Sequence, residues 1–337
     1  MATIYEVSEL AGVSLATVSR VMNKNTKVSE KTAKKVHEAM KQLNYRPNSI
    51  AQSLASNRTN SVGLMVTGLN GAFFGQMMAG IESTLRKAEK HIIITTGHNE
   101  EAREKDGIEF LKSRNCDALI IHVEAVDNEY LIELCKGDIP VIIIGCNIEE
   151  IKQHCIALDN ELGGYLAAKA VLEQGHRQIG YISGPDNKLD AQQRLAGHKR
   201  ALAEFGCEAD EAHIYMGNYL DTGGRYGIKH FLDSKTPITA LVCANDEMAS
   251  GAMTYAREHN LVLPKDLSVV GFDNVIFAQH IHPKLTTIEN PVYEMGTMAA
   301  KMVLKNVYQQ TDLIIEQQFK PALVNRQSVC EVTSSNK

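Results

Sequence analysis

The sequence of 337 residues predicts an N-terminal all-α helix-turn-helix head followed by an α/β core of two doubly wound parallel-sheet lobes. Three observations predict this architecture. Residues 1–58 contain short amphipathic helix patterns around a glycine turn, and from residue 61 short apolar strands alternate with amphipathic helices. The third observation is the charge, which is basic in the head and acidic in the core. The length corresponds to two or three domains at about 100–200 residues each.

Composition and cysteine usage exclude several classes of protein. Apolar residues make up 44% of the chain and charged residues 22%, unlike a disordered or collagen-like protein. The seven cysteines are scattered singly without a CxxC pair, so we expect reduced thiols and neither a zinc site nor a disulfide framework. The N-terminal residues lack the apolar stretch of a signal peptide, and the longest apolar run, 139–146, is too short to cross a membrane. We therefore expect a cytoplasmic protein without a membrane partner.

Charge is distributed unevenly along the chain, whose formal net charge is −5. Residues 1–58 carry nine Lys or Arg and four Glu, whereas the remainder has 26 basic and 36 acidic residues. A basic head on an acidic body suits the binding of a phosphate backbone, as in DNA. The alternative is a chance bias of the surface charge.

The first helix of the head is predicted by its capping residues. Thr3 and Glu6 form a capping-box pattern at the start of a helix over 4–11, and Gly12 suits the left-handed cap that ends it. Ser14 then caps a second helix over 15–22. Two helices joined by a tight glycine-containing turn predict a helix-turn-helix.

A third helix from Ser29 to about Asn44 completes the predicted head. The apolar positions of the three helices are spaced to face one small core. They are Val7, Leu10, Ala11, Val18, Val21, Ala33, Val36, Met40 and Leu43.

The second helix carries the residue types that read DNA. A recognition helix places its N-terminal residues against base edges in the major groove. Arg20 can donate two hydrogen bonds to guanine, and Leu15 and Ala16 can contact thymine methyl groups. Hydroxyl groups that could donate to phosphates belong to Ser14, Thr17 and Ser19. Taken alone, Arg20 equally fits a solvated helix residue.

Several segments together resemble the lactose/galactose repressor family of bacterial transcription regulators, and the resemblance runs to Val329. The segments in the head are TIYEV (3–7), AGVS (11–14), ATVSRVMN (16–23), VS (28–29) and NYRPN (44–48). The resemblance implies a DNA-binding repressor that binds a pseudo-palindromic operator as a homodimer and is controlled by a small sugar. The DNA-binding residues that it implies are Thr3, Ser14, Leu15, Ala16, Thr17, Ser19, Arg20, Asn23, Asn48 and Leu54.

The segment 47–58 has two interpretations. Residues 49–55 are too few to form a stable helix alone in water, which favours a flexible linker. The resemblance implies instead a hinge helix that forms when two subunits meet on the operator. Leu54 would then wedge into the central minor groove, where an apolar side chain unstacks a base step and bends the DNA.

The core alternates strands and helices. The predicted elements are strand 61–66, helix 74–88, strand 92–95, helix 101–113, strand 118–122, strand 141–144, the segment 155–159, helix 161–174, strand 179–183, helix 191–206, strand 213–215, helix 223–233, strand 240–243, helix 246–259 and strand 268–272. Two such halves imply a cleft in which a ligand lies beyond the carboxyl ends of the strands. The resemblance implies a periplasmic-binding-protein-like fold in which the chain crosses between the lobes three times.

These interpretations give domain boundaries. The helix-turn-helix domain is predicted over 1–46, the hinge over 47–58 and the core over 59–333. Within the core, the first lobe is predicted to contain about 59–159 and 287–318, and the second about 160–286 and 319–333.

Ligand candidates occupy the loops at the strand ends. Carboxylates and a guanidinium can hold adjacent sugar hydroxyls, and aromatic faces can cover the C–H surfaces of a sugar. The candidates are Phe73, Phe74, Arg194, Tyr219, Asn245, Asp246 and Asp273. Asn245 and Asp246 equally fit caps of the following helix, and Phe74 equally fits the core. The resemblance implies that Arg194, Asn245 and Asp273 bind the effector, with Phe73 and Tyr219 lining it.

The chain departs from the family pattern where Gly145-Cys146 replaces a polar pair and Ala72 replaces a proline. One polar ligand is therefore missing, and Asn147 is a candidate replacement. Other stretches resemble galactose repressors in particular, so we expect galactose or a related hexose acting as inducer. The alternatives are a different sugar or a corepressor. The stretches are Ala16, Gly75, CIALD (155–159), Asp190-Ala191 and Arg194-Leu195.

Catalytic patterns such as GxxxxGK[ST], GxGxxG, GxSxG and HExxH do not occur, so we expect no enzyme, no catalytic residues and no cofactor. His280-x-His282 lacks a third ligand nearby and does not indicate a metal site.

The residues after Val329 are too few for a helical tetramer bundle, which favours a dimer. A periplasmic-type sugar-binding protein would explain the core, but it should have a signal peptide and no basic head.

Overall fold

The computed structural model describes residues 2–22, 28–46, 58–234 and 236–332. The chain forms two compact units, which divide between Asn60 and Ser61. No helix within the described ranges is long and apolar enough to span a membrane.

The head contains three α-helices in its described part: α1 (Ile4–Ala11), α2 (Leu15–Met22) and α3 (Glu30–Gln42). The capping box predicted for α1 is present: the Glu6 carboxylate accepts from the Thr3 amide at 2.7 Å, and the Glu6 amide donates to the Thr3 hydroxyl at 3.4 Å. Gly12 ends α1 with φ 64°. The bounds predicted for α1 and α2 are therefore confirmed, whereas α3 ends two residues before Asn44.

A small apolar core holds the three helices together. Val7, Val18 and Val36 have no exposed surface, so each helix contributes one fully buried valine. Leu10 is 49% exposed, and its predicted inward position is wrong. The apolar cluster of this small unit contains Val7 and Ala11 of α1 together with side chains of the other two helices, and Leu10 lies outside it.

The second unit is built from short strands and longer helices. Its strands are β1 (Ser61–Val66), β2 (His91–Thr96), β3 (Ala118–Ile121), β4 (Val141–Ile144), β5 (Cys155–Leu158), β6 (Ile179–Ser183), β7 (Ile214–Met216), β8 (Ala240–Cys243), β9 (Ser268–Asp273), β10 (Thr286–Glu289), β11 (Gln318–Phe319) and β12 (Ala322–Val324). Its α-helices are α4 (Ala72–Lys87), α5 (Glu101–Ser113), α6 (Asn128–Cys135), α7 (Asn160–Leu172), α8 (Leu189–Glu204), α9 (Asp221–Asp233), α10 (Asp246–Glu258) and α11 (Val292–Tyr308). Short 3₁₀ segments cover Glu149–His154, Glu211–His213 and Ile276–Gln279.

These strands form two six-stranded sheets, one in each lobe. The first has the order β11-β5-β4-β3-β1-β2, with all pairs parallel. The second has the order β12-β10-β9-β8-β6-β7, in which only β12 is antiparallel to its neighbour. Every residue of β3, β4 and β8 is buried, as expected for parallel strands covered on both faces. The predicted pair of α/β lobes is confirmed.

The chain passes between the two sheets three times. It leaves the first sheet after β5 and builds β6 to β10 of the second sheet. It then returns to the first lobe, where α11 packs on α4 and β11 joins the first sheet. Finally it enters the second sheet again at β12. Because β10 pairs with β9 up to Glu289, the second passage follows Glu289 rather than residue 286. Helices α6 and α11 and strands β10 to β12 were not predicted from the sequence.

Candidate functional site

Helix α2 presents the side chains that the sequence predicts to face DNA. Arg20 and Ala16 are exposed, and Leu15 is partly exposed. The Thr17 amide donates to the Ser14 hydroxyl at 3.2 Å, so Ser14 caps α2, and the hydroxyls of Ser14 and Thr17 lie 2.9 Å apart. The opposite side of α2 is buried in the head core, which fixes this face outward.

The other predicted DNA-binding residues differ in how exposed and how free to bond they are. Ser19 is partly exposed on α2. Thr3 is exposed, but its hydroxyl already bonds Glu6 in the capping box. Asn23, Asn48 and Leu54 lie outside the described residues, as does most of the predicted hinge.

The core contains a cavity of about 450 Å³ whose lining comes from both lobes. This volume lies within the range of about 300–1,000 Å³ that is typical of small-molecule sites. The structure brings six of the seven ligand candidates to the lining, all except Asp246: Phe73, Phe74, Arg194, Tyr219, Asn245 and Asp273. They follow the carboxyl ends of strands or start the next helix, where a ligand of a doubly wound sheet binds.

Close packing of α7 against α8 positions Arg194. A Cβ at Gly164 of α7 would lie 1.9 Å from the carbonyl oxygen of Arg194, and a Cβ at Gly197 of α8 would lie 1.9 Å from the carbonyl oxygen of Glu161. Only glycine permits the two backbones to approach so closely at these positions.

The guanidinium of Arg194 is buried and held at three sides. Nε donates to Asn160 Oδ1 at 2.9 Å and Nη1 donates to the Ala244 carbonyl at 2.6 Å. The ring of Phe272 lies 3.7 Å below the guanidinium carbon. The remaining nitrogen, Nη2, is 3.6 Å from an oxygen of Asp190 and 3.7 Å from one of Asp273. Arg194 is therefore preorganised, with one nitrogen directed at two carboxylates.

Asp273 ends β9 with φ 106°, a left-handed backbone conformation that is uncommon outside glycine and is found at binding sites. Asn290 Nδ2 donates to its carboxylate at 3.0 Å. Burial raises the pKa of the Asp273 carboxyl to about 6, although Arg194 and Asn290 act in the opposite direction.

Tyr219 and Asn245 are linked to this cluster. The Tyr219 hydroxyl donates to Asp190 at 2.8 Å, and Asn245 Nδ2 donates to the Tyr219 carbonyl at 2.8 Å. Asn245 also accepts from the Met248 amide at 2.9 Å, so it caps α10 as well as lining the cavity. Asp246 is fully buried and accepts from the Val275 amide and the Thr287 hydroxyl, which indicates a structural role.

Two aromatic rings of α4 cover the opposite side of the cavity. Phe73 and Phe74 are edge to face, with ring centroids 5.2 Å apart. Both rings also pack partly against the core, so Phe74 lines the cavity and contributes to the core as well. Gly145 and Cys146 line the cavity, whereas Asn147 is exposed and bonds Gln318 at 3.5 Å. Asn147 therefore lies outside the cavity lining.

Sequence reasoning missed several cavity residues. Lys188, which precedes α8 in the second lobe, forms an ion pair with Glu124 of the first lobe at 3.0 Å, and Lys188 Nζ also donates to the Glu124 carbonyl at 3.1 Å. Further examples are His122, Asn160, Asp190 and Asn290. Three of these residues could have been found from their position in the sequence, because each lies within two residues of the end of a strand: His122, Asn160 and Asn290.

The described ranges contain no group of three or more His, Cys, Asp or Glu side chains arranged to hold a metal ion. His280 and His282 are both exposed.

Comparison with known proteins agrees with the two-part architecture. Residues 3–48 match the family described as "Bacterial regulatory proteins, lacI family", and residues 168–329 match "Periplasmic binding protein-like domain". The HTH-type transcriptional regulator GalR of Escherichia coli (strain K12) is 36% identical over 98% of this chain and 96% of its own length. The ribose operon repressor of Haemophilus influenzae is 33% identical over 98% of this chain and 99% of its own.

A solved structure, the lac repressor dimer bound to operator and the anti-inducer ONPF, superimposes with a TM-score of 0.85 and 28% identity, covering 98% of this chain and 99% of that one. These relatives are named as transcriptional regulators or repressors, which agrees with the expectation that this chain is not an enzyme. The chain belongs to the lacI family of bacterial regulatory proteins, and it is a DNA-binding transcriptional regulator.

Proposed function

We propose that this chain is a transcriptional repressor that binds a pseudo-palindromic operator as a homodimer and is released by a hexose, galactose or a close relative of it. The observation that carries the proposal is the convergence of Arg194, Asp273 and the rings of Phe73 and Tyr219 on one cavity. A guanidinium and a carboxylate bond adjacent hydroxyls, and aromatic faces cover the C–H side of a sugar ring.

The domain boundaries belong to the same proposal. A head over 1–46 reads the operator, the segment 47–58 is the hinge, and the core over 59–333 binds the sugar and dimerises. Asn23, Asn48 and Leu54 contact DNA, together with Thr3, Ser14 and the outward residues of α2. A two-fold dimer requires an operator of matching two-fold symmetry.

Control by the sugar is a coupling between two states. The cavity lining comes from both lobes, so a hexose changes the free energy of one arrangement of the lobes relative to another. Releasing DNA about 100-fold requires the hexose to prefer the released state by about 2.7 kcal/mol.

The test uses the full chain. A random duplex library is selected for binding at fixed salt, and a panel of hexoses, pentoses and purines is titrated against the selected duplex. We expect an inverted-repeat site, and an operator affinity that falls about 100-fold with galactose or a related hexose. No preference for any inverted repeat over random duplex, with or without the compounds, would contradict the proposal. Tighter DNA binding with a compound would identify that compound as a corepressor instead of an inducer. Release of DNA by a pentose would show that the effector is a pentose and not a hexose.

We further expect hexose affinity to fall as the pH is lowered through about 6, because that is where the Asp273 carboxyl takes up a proton. The ionised carboxylate accepts hydroxyl hydrogen bonds more strongly than the neutral acid does. If only the ionised form binds, affinity falls about tenfold per pH unit below this pKa.

Isothermal titration calorimetry between pH 5 and 8 measures this dependence. Asp190 and Glu247 also lie in the cavity lining, so Asp273→Asn is the control: it should weaken binding at pH 8 and flatten the profile. A wild-type affinity that is constant over this range would show that Asp273 does not accept from the sugar in its ionised form.

A further inference from the structure

Two cysteines of the first lobe lie side by side at the wall of the cavity. Cys146 follows β4 by two residues, and Cys155 is the first residue of β5, which pairs with β4 in parallel. Their Sγ atoms are 3.5 Å apart. Of the seven cysteines, all of which lie in the described ranges, these two are the one pair in which a thiol hydrogen-bonds a thiol. The sulfurs of a disulfide are about 2.05 Å apart, so a movement of about 1.5 Å joins them.

The two thiols differ in their access to solvent. Cys146 is partly exposed and lines the cavity, whereas Cys155 has no exposed surface. Cys155 belongs to the apolar core of the first lobe, and its Sγ lies 3.5 Å from the Ile151 carbonyl oxygen. A small reagent that enters the cavity therefore meets Cys146 and not Cys155.

The contact between the two sulfurs makes the pair easier to ionise once. The hydrogen bond with Cys146 lowers the pKa of the Cys155 thiol, and the same bond raises the pKa of Cys146. Either sulfur can donate in this bond, so the charge of the singly ionised pair is also available at Cys146. Burial acts in the opposite direction at Cys116 and Cys135, whose pKa values it raises to about 11. Because the thiolate is the nucleophile, the pair is the more reactive site.

We infer that Cys146 and Cys155 are a modification site, at which a hydroperoxide converts the two thiols into a disulfide and thereby weakens hexose binding. The disulfide itself does not depend on the ligand, whereas the loss of hexose affinity rests on the proposed function. As its sulfur moves toward Cys155 in the core, the Cys146 side chain is withdrawn from the cavity lining. The wall that the hexose contacts is thereby changed.

The reaction consumes one hydrogen peroxide for each pair of thiols. The Cys146 thiolate attacks one peroxide oxygen, the O–O bond breaks, and the products are a sulfenic acid on Cys146 and hydroxide. The Cys155 thiolate then attacks Cys146 Sγ, the S–S bond forms, the S–O bond breaks and a second hydroxide leaves. The two thiol protons convert both hydroxides to water. The sulfurs lose two electrons, which the peroxide gains.

The test treats the reduced full chain with hydrogen peroxide and digests it with trypsin in the absence of a reductant. Trypsin cleaves after Lys152, so the two cysteines fall in peptides 137–152 and 153–169, each of which contains a single cysteine. We expect these peptides to be joined, lighter by two hydrogens than their sum, and separated by dithiothreitol. A link to Cys116 or Cys135 would have a different mass, because both lie in peptide 115–136.

Cys155→Ser keeps Cys146 in the cavity wall and removes its partner. In this variant the joined peptides should disappear, and the sulfenic acid on Cys146 should be trapped by dimedone instead. Cys207→Ser changes a partly exposed cysteine of the second lobe and is the matched control, which should form the joined peptides as the wild type does. The wild-type digest needs no variant, so it decides the inference even if Cys155→Ser does not fold.

Calorimetry with galactose compares the reduced and the oxidised wild-type chain. Oxidation should lower the affinity about three- to tenfold, and dithiothreitol should restore it. The disulfide is overturned if peptide 137–152 stays unlinked after peroxide treatment or is linked mainly to peptide 115–136. Joined peptides with an unchanged galactose affinity would overturn the effect on the sugar site. A reduced chain that binds neither galactose nor another hexose contradicts the proposed function instead, and the digest still tests the disulfide.

Discussion

Replacing Arg194 by alanine should lower hexose affinity at least about 100-fold and leave operator binding by the sugar-free protein within about threefold. Truncating a buried, hydrogen-bonded charged residue in a binding site typically costs about 2–5 kcal/mol of affinity, and each 1.4 kcal/mol is a factor of ten. Arg194 is buried and supplies the nitrogen that faces Asp190 and Asp273. Calorimetry with galactose and anisotropy of a labelled operator measure the two quantities separately.

Arg200→Ala is the matched control. Arg200 lies on the same helix, is half exposed, and pairs with Glu161 on the surface, where an ion pair contributes little. It should change neither affinity. Because loss of Arg194 leaves Asp190 and Asp273 without a cation, the variant is also expected to melt at lower temperature. Asp273→Asn, which keeps the shape of the side chain, tests the same cluster if Arg194→Ala does not fold. An unchanged response of Arg194→Ala to galactose would remove it from the sugar site.

Replacing Arg20 by alanine should weaken operator binding about 10- to 100-fold and leave binding to random duplex nearly unchanged. A bidentate contact between arginine and guanine contributes about 1–3 kcal/mol of discrimination. Arg20 is exposed on the face of α2 opposite the buried Val18 and Val21, so its loss does not disturb the head core. Competition of labelled operator with random duplex, at one salt concentration, gives both affinities.

Lys34→Ala removes the same charge from an exposed position on α3. A phosphate-contacting or distant lysine changes binding uniformly across sequences, so this control should alter the ratio of specific to random binding little. If Arg20→Ala lowered both affinities by the same factor, Arg20 would be a phosphate contact and the base-reading role would be wrong.

The sequence predicted the elements whose ends are set by local chemistry. Thr3, Glu6 and Gly12 bound α1 because capping bonds connect residues three or four positions apart. The strands β1, buried from Val62 onward, and β4, buried throughout, were predicted within the correct bounds for a related reason: a run of apolar residues is recognised without knowledge of the neighbouring strands. The prediction that Leu10 is buried was wrong, because the spacing of apolar residues along a helix does not give the width of the core that the helix faces.

The cavity was predicted only in part. Asn245 and Asp273 are polar or charged residues at strand ends, Arg194 is a charged residue near the start of a helix, and all three matched a family pattern, so they could be named. The residues that hydrogen-bond Arg194 and Asp273 could not be named, because they come from elements that are distant in sequence. Asn160 reaches Arg194 from another helix, and Asn290 reaches Asp273 from the end of a different strand.

The amino-acid sequence by itself determined the three-helix head, the two α/β lobes, the difference in charge between the basic head and the acidic core, and the family. These follow from periodicity, caps and motifs, each of which is read within about 20 residues. Only the tertiary structure decided the raised pKa of Asp273, the burial of His122 Nδ1 without a hydrogen-bond partner among the described residues, and the ion pair of Glu124 with Lys188. The physical reason is that burial and pairing depend on side chains that are distant in sequence and are brought together where the parallel strands of two sheets end.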